Sequence, residues 1–350
     1  MSNISNMTMT EREIMLNTMK HIGNPDNIVP YTLESNCPVL DEQLNKYYGG
    51  SWRAKLRSFM HAPFHVDTRR EEYVREHITR DIFGTIWRTD SSSWHIVTPA
   101  LPEPSFKNFK FPVLDDFIGP IEKSNAKKHA KEINEKNPNT FSVIHMGWGI
   151  FEQTWRTRGF ENAMCDMAEE KEFYAELVSR ITDLYVGMVE YCADVKADAI
   201  MFGDDWGAQQ GVMMGPENWR TFIKPAWKRV YAKVHEQGKY AISHCCGSVY
   251  DILPDIVEIG LDMLESVQPE AYGMNPFKLK KEFGDKIGFW GSLGSQSVVP
   301  FWKPDEIKEH IRELKKEMGV NGGYILSPAK PFQPGDPLEN AIATIEAFIE

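Results

Sequence analysis

The chain has 350 residues, of which 42% are hydrophobic and 25% charged, and a net charge of −11. This is an ordinary globular balance with room for one large α/β domain. The acidity, with no dominant basic stretch, counts against a nucleic-acid partner, and no apolar run is long enough to span a bilayer. Met1 to Thr10 is polar and carries no signal-peptide core. The five cysteines (Cys37, Cys165, Cys192, Cys245 and Cys246) are odd in number and scattered, so they form no disulfide framework. A cytoplasmic location is expected, where free thiols are available as metal ligands.

In chain order, the part up to about residue 120 is rich in aromatics and prolines and irregular. Asp67 to Arg80 reads as a charged helix, Asp81 to Trp87 as a strand or turn, and Pro99 to Pro112 as loop. From about residue 140, strand-length apolar runs alternate with helical segments. Phe141–Met146 precedes a helix across Cys165–Ala193, Ala197–Phe202 precedes Pro216–Gln237, and Tyr240–Ser243 precedes Ser248–Ile259. Leu261–Val267 precedes Pro276–Phe283, Ile287–Trp290 precedes Pro304–Met318, and Gly323–Leu326 precedes Leu338–Ile349. Short buried strands alternating with amphipathic helices imply parallel βαβ units. Six in succession predict an α/β fold, a (β/α)8 TIM barrel with an irregular N-terminal extension. The expected organisation is a single domain over 1–350, irregular over 1–120 and regular over 140–350. No G-x-G-x-x-G follows any strand, which removes the usual dinucleotide reading.

Barrel enzymes keep their chemistry at the C-terminal ends of the strands. Those ends carry Gly147-Trp148-Gly149-Ile150-Phe151-Glu152, Gly203-Asp204-Asp205-Trp206-Gly207 and His244-Cys245-Cys246-Gly247. Val267-Gln268-Pro269, Gly291-Ser292-Leu293-Gly294 and Ser327-Pro328-Ala329-Lys330 follow. His244 and Cys246 form an H-x-C pair, and imidazole and thiolate are the ligand types zinc favours. In isolation such a pair reads as a buried histidine beside a structural cysteine. Cys245 points to the other face of the strand and reads as packing.

Together with Trp155, Arg158-Gly159, Glu161-Asn162, Pro216, Trp219, Lys224-Pro225, Phe283-Gly284 and Glu339-Asn340, these residues resemble the uroporphyrinogen decarboxylase superfamily. The likeness runs from about Phe141 to the C-terminus and is greatest to the corrinoid-dependent methyltransferase branch. The decarboxylases carry an arginine-rich R-Q-A-G-R motif that Trp52-Arg53-Ala54-Lys55-Leu56-Arg57 does not match. The resemblance implies one zinc held by His244, Cys246 and a third ligand. Lys330 occupies the position where that branch usually has a cysteine, so Glu152 is expected to complete the set, with Asp205 as the other available carboxylate.

The resemblance further implies methyl transfer between a small methylated substrate and a corrinoid (methylcobalamin) carried on a partner protein. The chain has no D-x-H-x-x-G signature for holding the corrinoid itself. Aromatics at the strand exits suit a methoxylated aromatic donor and O-demethylation. Two other readings stand beside it, a thiol-methylating enzyme and a metal-independent lyase. Catalytic roles are expected for Asp204, Asp205 and Lys330, and substrate contacts for Trp148, Phe151, Trp206, Gln268, Trp290 and Ser292. Arg156 and Arg158 either anchor an aromatic acid or pair structurally. A homo-oligomer is compatible with the helical surface.

Overall fold

A computed structural model describes residues 9–68, 71–90, 94–118 and 120–350. The reading of Met1 to Thr10 therefore falls almost wholly outside the described residues. The chain divides into two compact units, one of Met1–His61, Lys136–Ser142 and Asp262–Glu350, the other of Ala62–Glu135 and Val143–Leu261.

Fourteen strands follow along the described chain. They begin with β1 (Met60–His61), β2 (His65–Val66), β3 (Glu71–Arg75), β4 (Ile78–Asp81), β5 (Ile86–Arg88) and β6 (His95–Thr98). Next come β7 (Phe141–Trp148), β8 (Ala199–Gly203), β9 (Gly207–Ala208), β10 (Gly211–Val212) and β11 (Tyr240–His244). The series ends with β12 (Met263–Val267), β13 (Gly288–Leu293) and β14 (Tyr324–Pro328).

In the first unit β12, β13 and β14 pair in parallel, with Leu264 beside Phe289 and Trp290 beside Ile325. All six residues of β13 and all five of β14 are buried, as expected for parallel strands covered on both faces. The helix Pro304–Met318 shows how the cover is written. Ile307, Ile311, Leu314 and Met318 fall on one buried stripe, proline opens the first turn, and acidic and basic residues sit at the ends that the helix dipole favours. The helices Pro276–Phe283, Pro304–Met318 and Leu338–Ile349 have the bounds that their apolar spacing predicts.

In the second unit β7, β8 and β11 pair in parallel, with Ile144 beside Ile200 and Met201 beside Ile242. Strand–helix alternation with parallel pairing is the α/β arrangement of the (β/α)8-barrel class. The predicted helix at Asp67–Arg80 is corrected. Residues 71–81 form the antiparallel pair β3–β4, joined to β5 and β6. The charges that suggested a helical face pair across strands instead. Arg80 meets Glu72 at 2.9 Å, Thr79 donates to Glu71 at 2.6 Å, and His77 takes a left-handed turn conformation at φ 57°. Tyr73, Val74, Ile78 and Thr79 are strand formers whose preference prevails here. The helix expected over Cys165–Ala193 is two helices, Phe160–Glu169 and Lys171–Tyr191. The one expected over Pro216–Gln237 contains a π turn at Trp219–Ile223, which sets Pro225 in the first turn of Lys224–Glu236. Among the described residues no helix is long and apolar enough to cross a membrane.

Candidate metal centre

β8 and β11 lie side by side with Gly203 opposite His244, so the segments leaving them emerge together. Two glycines then bring those segments into backbone contact. A Cβ on Gly207 would stand 2.4 Å from the Cys246 carbonyl oxygen, and one on Gly247, at φ +76°, would meet Gly207 backbone at 2.7 Å. Only glycine fits that approach. The Ser248 amide donates to the Ala208 carbonyl at 2.8 Å and seals the contact.

The result is a cluster of Asp205, His244 and Cys246 whose ligand atoms all lie within 4.8 Å of one another. His244 Nε2 stands 3.1 Å from Cys246 Sγ and 3.7 Å from Asp205 Oδ1. The Cys246 amide donates to Asp205 Oδ1 at 2.7 Å and fixes that carboxylate. All three side chains are half-buried. Cys245 is fully buried, accepts from the Trp206 amide at 3.2 Å, and burial pushes its thiol well up.

Asp204 has a different place. It is fully buried and accepts four N–H donors, from the amides of Phe151 (3.1 Å) and Glu152 (2.9 Å) and the indoles of Trp206 (2.7 Å) and Trp227 (2.8 Å). Its carboxylate caps the first turn of the helix Ile150–Arg158 from outside that helix, where negative charge is favoured. Gly149 makes room for it, since a Cβ there would stand 2.3 Å from the Asp204 side chain. Burial raises the Asp204 pKa, and the four donors pull it back.

Glu152, one turn into this cap, is raised to about 8, first by burial and then by the carboxylates of Asp204 and Asp205. In the metal-free protein it therefore holds a proton at neutral pH. A raised carboxylate supports folding fully below its unfolded range, and that support is lost as pH climbs through about 8. The metal-free Glu152→Gln variant is expected to match the wild type in thermal unfolding at pH 5 and to exceed it at pH 9. A difference that does not change with pH would remove this assignment.

The other predicted residues are placed as follows. The carboxylate whose oxygen lies within 4.8 Å of both the His244 and Cys246 ligand atoms is Asp205, expected as a catalytic group and as the alternative ligand; Glu152, expected as the ligand, is not in that set. Phe151 and Trp206, expected against substrate, are fully buried core side chains, Trp206 packing on Trp219 and Trp227. Trp148 is half-buried, with the Arg156 guanidinium 4.4 Å from its ring centroid. Arg158 is structural, bound to Asp166 at 2.7 Å and to the Leu101 and Pro102 carbonyls. Gln268, Trp290, Ser292 and Lys330 belong to the other compact unit. There Gln268 and Ser292 are buried, Trp290 donates to Thr32 at 2.9 Å, and Lys330 is half-buried. Trp227, which completes the Asp204 knot, has no local signature. It sits on the apolar stripe Ile223, Trp227, Val230, Tyr231, Val234, where any large apolar residue would look alike.

Fold and cluster together describe an α/β-barrel protein with a nitrogen–sulfur–oxygen donor set at its strand ends. Residues 129–350 match the family model described as uroporphyrinogen decarboxylase (URO-D), and the chain belongs to that family. Uroporphyrinogen decarboxylases of Bacillus cereus (strain B4264) and Geobacillus thermodenitrificans are each 27% identical to it, over 177 residues (49% of this chain, 46% of theirs) and 189 residues (52% and 49%). The chain thus spans about half the length of the curated relatives it matches. A methyltransferase from Methanosarcina mazei superposes over 97% of this chain and 98% of its own with a TM-score of 0.68 and 19% identity, which shows a shared fold.

Proposed function

We propose that this protein is a zinc-dependent methyltransferase that moves a methyl group from a methoxylated aromatic to a corrinoid protein. The observation that carries the reading is the convergence of Asp205, His244 and Cys246 at the ends of two adjacent strands. Imidazole, thiolate and carboxylate suit zinc, and three protein ligands leave a position for substrate, the pattern of a catalytic rather than a structural site. A bound zinc there supplies a Lewis acid for an ether oxygen.

The chain's own residues do the rest. The Cys246 amide orients Asp205, and Asp204 holds the turn that presents Glu152. A reduced corrinoid would supply the electron pair that takes up the methyl group; the pair of the broken methyl–oxygen bond stays on the phenolate oxygen, which then needs a proton. Glu152, whose hold on a proton is raised by burial and by Asp204 and Asp205 in the metal-free protein, would supply it. The acidic surroundings of Glu152, Asp204 and Asp205 suit this chemistry better than a substrate bearing many carboxylates, which speaks against a decarboxylase-like lyase. The free thiols fit a reducing cytoplasm.

The reading is tested with reduced corrinoid protein and a panel of methoxyarenes, thiols and methylamines. Turnover of at least one methoxyarene, with release of the matching phenol, is the expected result. Failure on every methoxyarene would overturn the substrate, and turnover confined to thiols would establish the thiol-methylating alternative.

A further inference from the structure

A second feature of the same compact unit has no part in the metal cluster. β5, β6 and the junction of the helices Ile150–Arg158 and Phe160–Glu169 line an open surface cleft of about 540 Å³, a volume within the range of small-molecule sites. Its walls include Trp87, Trp94, His95, Trp155, Phe160 and Glu161. Gly159, at φ +87°, turns the chain so that Phe160 meets Trp155 edge to face at 6.1 Å, and Trp155 in turn meets Trp148 at 6.0 Å. Trp94 is 45% exposed and Phe160 44%. Two open aromatic side chains beside a polar rim offer the mix of apolar surface and a few polar groups that small-molecule sites use.

Charge narrows what the cleft would hold. No lysine or arginine lines the cleft among the described residues. Arg158 is engaged by Asp166, and Arg156 packs on Trp87 and Trp148 while facing Glu71 and Asp81. The carboxylate on the rim is Glu161, in the first turn of its helix, where negative charge is favoured. It accepts a hydroxyl proton well and repels a second carboxylate.

We infer that this cleft is a binding site for a neutral phenolic ring, stacked on the exposed tryptophan and phenylalanine, with its hydroxyl donated to Glu161. The site excludes the corresponding aromatic acids. It shares no residue with the Asp205–His244–Cys246 cluster, so it stands or falls independently of the methyl-transfer reading.

The test is calorimetric titration of the full metal-free chain with 2-methoxyphenol, 4-hydroxy-3-methoxybenzoate, cyclohexanol and tetramethylammonium. Saturable one-site binding of 2-methoxyphenol is expected, tighter than that of the acid or of cyclohexanol. Trp94→Ala and Phe160→Leu should each weaken it roughly two- to twelve-fold, the range of a single aromatic contact. Glu161→Gln should narrow the gap between the phenol and the acid. Both aromatic positions are exposed, so these variants keep their fold. Unchanged binding in the Trp94→Ala/Phe160→Leu double variant would overturn the inference. So would equal affinity for cyclohexanol, or displacement of the phenol by tetramethylammonium, which would make the cleft a cation site.

Discussion

Purified protein is expected to carry about one zinc per chain, and the His244→Ala/Cys246→Ala double variant none. Single substitution of His244, Cys246 or Asp205 should each lower zinc affinity by more than the ~10–100-fold typical of outer-shell changes. Glu152→Gln should leave zinc bound, because its carboxyl lies outside the set that converges. The contrast between Asp205→Asn and Glu152→Gln is the decisive part. Elemental analysis after dialysis against a weak chelator reads it directly. Zinc lost from Glu152→Gln but kept in Asp205→Asn would reassign the third ligand, and a wild-type protein that takes up no zinc on reconstitution would dismiss the centre. Folding should survive all of these changes, since the segments carrying the ligands are joined by backbone contact at Gly207 and Gly247.

Asp204→Ala should be damaging in another way, by stability. It would strip four buried N–H groups, two of them indoles, of their acceptor. Unsatisfied buried donors cost about 1–3 kcal/mol each before relaxation, and partial rescue by water leaves an expected loss of about 3–5 kcal/mol. Thermal unfolding should fall by roughly 4–7 °C. Amide exchange of the peptide spanning residues 149–158 should accelerate more than that of β13. Asp204→Asn should lose less, because its amide oxygen can keep the three donors that Oδ2 accepts and its N–H meets only the Glu152 amide. A loss below about 1 kcal/mol in Asp204→Ala would mean that Asp204 is dispensable packing and not the knot described.

Most of the second half of the fold was legible in the sequence, for a physical reason. Buried parallel strands and one-faced helices write strong local patterns, as in Ile307-Ile311-Leu314-Met318. Charge without a companion apolar stripe misled at Glu71–Asp81, where cross-strand pairs and helical pairs use the same residue types. The π turn at Trp219–Ile223 has no periodic signal of its own. Of the candidate site, His244 and Cys246 were legible because both stand on one strand exit. Asp205 was legible as one of two available carboxylates; that it and not Glu152 joins the pair was not, because this depends on two glycines 40 residues apart meeting across neighbouring segments. The same applies to Trp227 and Asp204, whose hydrogen bond joins a helix to a strand end.

The glycine-on-glycine contact also bears on how such a centre changes over time. The backbone approach is drawn by main chain, so residues 244 and 246 are free to vary without redrawing it, while residue 205 must also offer an acceptor to the Cys246 amide. Exchanging one donor for another would alter which ion is preferred while leaving the socket in place. A scaffold of this kind lets chemistry diversify by single substitutions.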